Sequence, residues 1–189
     1  MLSILTGALL MTYLFMRTFV TYQCTSPHLL DKFNAERYLG TWYELRRLKN
    51  DPNEDGECIT AQYTLKDDGH IHVNNNQWAG WEDTDYEQGG AIGEAWISRW
   101  IPGQLWITFF ADLGGRYRIL ETDYYSFAVI YACENSLANM FLFSEYSWVI
   151  TRDNIQDGTP EFDAMIKKVD EIYAKEIPHF DHKELMRTT

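Results

Sequence analysis

Phe33-Asn34-Ala35-Glu36-Arg37-Tyr38-Leu39-Gly40-Thr41-Trp42-Tyr43-Glu44 is the stretch from which the rest of the chain is laid out. It joins a short turn of helix, a glycine and the start of a strand. Gly40 gives the backbone freedom to swing from helix into sheet. Trp42 is a large apolar surface with one donor, suited to plugging one end of a closed barrel. A barrel plugged at one end is a cup.

Downstream, strand-like runs begin near Gly40, Glu57, Gly69, Gly89, Gly103, Gly115, Tyr125 and Ser144. Eight strands is the number of a small closed barrel. Turn chemistry falls at Asp67-Asp68-Gly69, Gly89-Gly90, Pro102-Gly103 and Gly114-Gly115. Between Pro160 and Ile177, the residues Phe162, Met165, Ile166, Val169, Ile172 and Tyr173 recur at helical spacing, with Thr159-Pro160 as a start and Pro178 as a stop. The expected fold is all-β: an eight-stranded up-and-down antiparallel barrel with a short N-terminal helical turn and one C-terminal α-helix packed outside. Residues 1–22 are set apart as a signal peptide or membrane anchor, 23–178 form the barrel domain with its helix, and 179–189 are a solvated tail.

A net charge of -12 and a pI near 4.7 argue against nucleic acid as a partner, because its phosphates would be repelled. Met1 to Val20 is apolar but for a few residues such as Arg17, and reads as an export segment. Tyr22 stands where a cleavage site wants a small residue, so a secreted chain and an anchored one both stay open. Three cysteines in an exported chain suggest one bridge and one free thiol.

Gly40-x-Trp42, Thr122-Asp123-Tyr124 and Arg152 at the end of a strand, in that order, resemble the three-motif signature of the lipocalin family, and the likeness runs from about Cys24 to Asp153. It is strongest to the apolipoprotein-D-like and bacterial-type branches. The resemblance implies that the Arg152 guanidinium covers the Trp42 indole at the closed end. It also implies a Cys24–Cys133 disulfide tying the N-terminal arm to the wall, with Cys58 left free. The implied function is binding and transport of a small hydrophobic ligand such as a sterol, retinoid, fatty acid or other lipid.

Alternation along strands assigns faces, with parity anchored at Trp42 and Arg152. With the resemblance as guide, the lumen receives Trp148 and Ile150; Ile59, Ala61 and Tyr63; Ile71, Val73, Asn75 and Gln77; Leu105, Ile107 and Phe109; and Tyr117 and Ile119. Of these, Tyr63, Ile71, Val73, Asn75, Gln77, Phe109, Tyr117, Trp148 and Ile150 are the expected ligand contacts. Ser126, Ala128, Ile130 and Ala132 should also turn inward, and with Gly93 and Ala95 their small members leave room for a guest. The alternative is an interior filled by its own side chains. Parity also aims Glu121 inward with Glu44 and Arg46 as neighbours, where its carboxylate needs a partner or a proton, while local twist would turn it out.

The remaining candidates are weighed against plainer readings. Cys58, His70 and His72 fall on the outward register, which argues against a cavity nucleophile or an axial haem ligand, so no catalytic residue, metal or cofactor is expected; a lipid-metabolising or isomerising enzyme and a pigment or haem carrier are the alternatives. His179 and His182 read as tail residues rather than metal ligands. Glu82, Asp83, Asp85 and Glu87 form an acidic rim without the spacing of a calcium loop. Met140-Phe141-Leu142-Phe143 reads as a membrane or lipoprotein contact, as a lid, or as the start of the last strand. A monomer or weak homodimer is expected.

Overall fold

The computed structural model describes residues 24, 26–48, 57–81, 84–109, 114–135 and 143–188. Helix α1, Ala35–Tyr38, is capped by Asn34, whose side chain accepts from the Arg37 amide. Eight strands follow: β1 Gly40–Leu48, β2 Glu57–Leu65, β3 Ile71–Trp81, β4 Thr84–Ile97, β5 Gln104–Thr108, β6 Gly114–Thr122, β7 Phe127–Asn135 and β8 Phe143–Thr151. Helix α2, Pro160–Glu176, starts at Thr159, whose hydroxyl accepts from the Phe162 amide. Each strand pairs antiparallel with the next, and β1 pairs with both β2 and β8, so the sheet closes on itself.

Closure sorts the apolar residues into two cores. Inside lie Tyr38, Trp42, Val73, Leu105, Ile130 and their neighbours. Outside, Leu45, Leu120, Val129 and Val149 pack against Phe162, Val169, Tyr173 and Ile177 of α2 and its end. The Tyr173 hydroxyl lies 2.8 Å from Ser147 Oγ, fastening the helix to β8. Cys24 and Cys133 form a disulfide with a Cα–Cα separation of 5.5 Å, closing a loop of 109 residues. A loop that long contributes on the order of 4 to 5 kcal/mol in the chain-entropy model.

Two β-bulges correct the face assignment. In β1 the register slips between Glu44, opposite Ile150, and Arg46, opposite Val149. One extra residue reverses every side chain beyond it. Arg46 therefore points outward, its guanidinium 5.5 Å from the centre of the Phe162 ring, and Arg47 opposite Trp148 points inward. In β6 a second slip lies between Ile119, opposite Ile130, and Glu121, opposite Val129. Glu121 is exposed on the outer wall, so neither a lumen carboxylate nor a pairing with Arg46 exists there.

Other expectations are revised. Gly89-Gly90 is no turn: both residues lie inside β4, opposite Gln77 and Asn76, and a Cβ on Gly90 would come within 2.3 Å of the Asn75 carbonyl oxygen. Of the acidic rim, Asp85 and Glu87 lie on β4, and Glu82 and Asp83 lie outside the described residues. Ser126 does not line the wall but sits in the β6–β7 turn, bonded to Asp123. Residues 179–188 are not a loose tail. Phe180 and Leu185 are buried, and a ninth strand, β9 Leu185–Arg187, pairs with β1 along Arg46–Leu48, where β2 has diverged. His182 stacks on Tyr173 at 5.5 Å and His179 faces Glu145 at 3.5 Å. Residues 1–22 and Met140–Leu142 lie outside the described residues, as does the side chain of Cys58 on β2.

Candidate functional site

The closed end knits the three motifs into one unit. The Arg152 guanidinium lies 3.6 Å from the Trp42 ring centroid. Its Nη1 donates to the Thr41 carbonyl at 2.8 Å, Nη2 to Leu39 at 2.9 Å and Arg37 at 3.0 Å, and Nε to Tyr124 at 3.1 Å. These carbonyls include ones that the short helix α1 leaves open at its C-terminal end. The Trp42 indole N–H donates to the Tyr38 carbonyl at 2.8 Å, and the Tyr124 hydroxyl accepts from the Asn34 amide at 3.0 Å.

Asp123 organises the adjoining turn. Its carboxylate accepts from the amides of Tyr125, Ser126 and Phe127 and from the Ser126 hydroxyl. Partial burial opposes ionisation, but the donations from Ser126, Phe127 and Tyr125 outweigh it and hold the carboxyl below its ordinary value. A lowered folded-state pKa contributes stability that is complete above the unfolded value, about 3.9, and fades as pH falls through the folded value. Asp123→Ala is expected to lose about 1–3 kcal/mol at pH 7. Urea unfolding should show that gap narrowing below about pH 4, whereas a pH-independent gap would mean that the charge contributes nothing.

Above the plug, the interior is lined as follows. Ile71, Val73 and Ile150 are buried in the inner cluster, with Tyr63, Ala128 and Ile130. Tyr117 stacks on Trp148 at 6.3 Å and Trp148 on Tyr146 at 5.9 Å, making an aromatic wall. The hydroxyls of Tyr38 and Tyr117 lie 2.8 Å apart and those of Tyr63 and Tyr117 3.1 Å apart. Burial pushes the Tyr38 and Tyr117 phenols well above their ordinary pKa, so both are neutral at physiological pH. Ala61 opposite Trp42, Asn75 opposite Ala61 and Ala91 opposite Asn75 all share the inner face. Ala61 and Asn75 keep partial solvent access and Ala91 is exposed. Gln77, two residues on from Asn75, is half-buried.

One small residue does not open space. A Cβ on Gly93 would meet the Phe109 ring at 2.7 Å, so the missing side chain is taken up by Phe109 near the mouth rather than by a hollow.

The inner wall also carries a charge pair that parity alone misses. Arg47 is 1% exposed and Glu44 5%, and Arg47 Nη1 donates to Glu44 Oε1 at 2.8 Å. In a regular strand residues three apart point to opposite faces; the bulge at Leu45 brings both to one. Nothing local in the sequence announces that bulge. The Asn75 Oδ1 atom is buried without a hydrogen-bond partner. Among the described residues, the lumen thus offers a greasy wall, an internally neutralised ion pair and an open acceptor on Asn75.

A closed eight-stranded barrel, sealed at one end by an arginine-capped tryptophan and lined with apolar side chains, is a ligand-binding cup. The family model for the lipocalin-like domain matches residues 33–157. Apolipoprotein D of Macaca fascicularis is 32% identical over 132 residues, covering 69% of this chain and 67% of that protein. The outer membrane lipoprotein Blc of Escherichia coli (strain K12) is 28% identical over 148 residues, covering 71% and 73%. Lobster apocrustacyanin A1 superposes with a TM-score of 0.65 at 21% identity, over 82% of this chain and 79% of that one. The chain belongs to the lipocalin family, whose proteins bind and carry small hydrophobic ligands, and that is its function.

Proposed function

We propose that the cargo is a neutral lipid with a rigid or extended apolar body and a single hydroxyl donor, of the sterol or retinoid type, held with its hydroxyl toward Asn75. The observation that carries this reading is the side-chain amide oxygen of Asn75, Oδ1, buried in the inner wall with no donor among the described residues. A buried acceptor left open costs about 1–3 kcal/mol, which a ligand hydroxyl recovers on binding. Tyr63, Ile71, Val73, Phe109 and Ile150 supply the apolar contact in this reading, Tyr117 and Trp148 the aromatic wall, and Gln77 a polar flank near the mouth. Arg47 does not invite an anion, because Glu44 already sits against it. About 300 Å² of buried ligand surface would contribute roughly 7 kcal/mol before association costs, enough for useful affinity.

The chain acts here as a carrier with no chemical step of its own. We read it as secreted, which the Cys24–Cys133 disulfide supports because such bonds persist in oxidising compartments. Contact of the Met140–Phe143 segment with a lipid surface belongs to the same proposal.

Trp148 emission should report the titration of retinol, cholesterol and retinyl acetate. The two alcohols are expected to bind more tightly than the ester, and Asn75→Leu should weaken retinol about three- to tenfold while leaving the ester unchanged. Equal affinity for alcohol and ester would remove the hydroxyl assignment.

A further inference from the structure

The N-terminal arm crosses the outside of the barrel from Cys24, bonded to β7, to Leu30, whose backbone nitrogen would lie 3.2 Å from a Cβ on Gly103, a residue at φ +75°. Between the arm, the β4–β5 turn and strands β5 and β6 is a groove of ≈ 430 Å³. That volume is in the range of small-molecule sites. Arg118 lines the groove, and it faces outward because it pairs with Tyr131 of the outer core.

The two arginines there differ. Arg116 is satisfied by a bidentate pair with Glu134, Nε to Oε1 at 2.8 Å and Nη2 to Oε2 at 2.7 Å. Arg118 is 6% exposed; its Nε donates to the neutral Gln104 amide oxygen at 3.3 Å, and its Nη1 is buried without a partner. No carboxylate pairs with Arg118 among the described residues. On the rim, Asp31 is turned to His28 at 3.5 Å. A buried guanidinium without an anion is costly in isolation, and its planar fork suits a carboxylate.

A second hollow of ≈ 470 Å³ adjoins the first and shares Trp100 and Gln104 with it. Its walls are Trp96 and Trp106, and Trp100 is 90% exposed. An aromatic track thus leads away from a guanidinium that no carboxylate among the described residues pairs with directly, on the wall of a protein whose net charge is -12. Exposed apolar patches of this kind mark binding surfaces.

We propose that this outer groove is a second binding site, separate from the lumen, for a monomeric anionic amphiphile: a carboxylate on Arg118 and a single alkyl chain along Trp100 toward Trp96 and Trp106. It stands whatever the barrel carries inside.

The test uses the full chain, with decanoate and decanol as probes in calorimetric titrations of wild type, Arg118→Met, Arg118→Lys and Trp100→Ser. Decanoate should show a binding event that decanol lacks. Arg118→Met should weaken it tenfold or more, Arg118→Lys should regain part of the loss, and Trp100→Ser, at a solvent-exposed site that the fold does not need, should weaken it severalfold. A decanoate affinity unchanged by both Arg118→Met and Trp100→Ser, or a decanol binding event that both substitutions weaken equally, would overturn the proposal. So would phosphatidylserine vesicles binding through Arg118 while free decanoate does not, since the surface would then face a bilayer instead.

Discussion

Arg47→Ala is expected to lower the unfolding free energy by about 3–5 kcal/mol and the Tm by roughly 10 °C or more. The guanidinium is 1% exposed and donates to Glu44 at 2.8 Å on the inner wall. Removing it takes a cation away from a buried carboxylate and empties side-chain volume between β1 and Trp148, its cross-strand neighbour. Charge and volume separate in a cycle. Arg47→Met keeps most of the volume and strands the charge, whereas the double change Glu44→Leu with Arg47→Met removes both charges. The double variant should be more stable than Arg47→Met, because a buried pair exchanged for apolar side chains is often neutral while half a pair is not. Urea unfolding of the four proteins checks this. A double variant less stable than either single would show that both side chains support the wall through other contacts.

Trp42→Ala should cost about 3–5 kcal/mol by cavity formation alone. The indole is fully buried, 5.0 Å from the Tyr38 ring and beneath Arg152. Its loss leaves the Tyr38 carbonyl with a 3.3 Å contact from Arg152 in place of the 2.8 Å indole bond, and takes the aromatic face from the guanidinium. Trp42→Phe retains a ring and should lose less than half as much. Because the plug is the floor of the cup, lipid affinity measured through Trp148 should fall in Trp42→Ala even where the variant is fully folded at low temperature. Unaltered affinity in the folded variant would mean that the ligand does not depend on the floor.

Much of the architecture was legible because it rests on short-range rules. Thr159 and Pro160 start α2 through a cap and a preset φ, and both signals are local. Trp42 and Arg152 meet as their motifs imply. Inward placement of Ile71, Val73, Tyr117, Trp148 and Ile150 follows from alternation, which holds while a strand remains regular. It fails where one residue is inserted. Counting alone aims Arg46 and Glu121 at the lumen, whereas both lie outside because of the slips at Leu45 and Leu120, for Glu121 the outward alternative that local distortion allows. Gly89-Gly90 has the composition of a turn, yet the close approach of Asn75 is what requires glycine at position 90.

The sequence by itself determined the number of strands in the barrel, the plug at its closed end, the helix and its caps, and an apolar lining. The strand count, the helix and its caps are written in periodicity and in local motifs, whereas the plug and the lining are legible through the resemblance to the lipocalin signature. Only the tertiary structure decided that Arg47 and Glu44 share the interior, that Phe109 fills the space over Gly93, and that the last residues add a strand to β1. Those outcomes depend on which backbone lies across the ladder from which, a choice made by partners distant in sequence, and a bulge reverses the faces of a strand without leaving any mark in its composition.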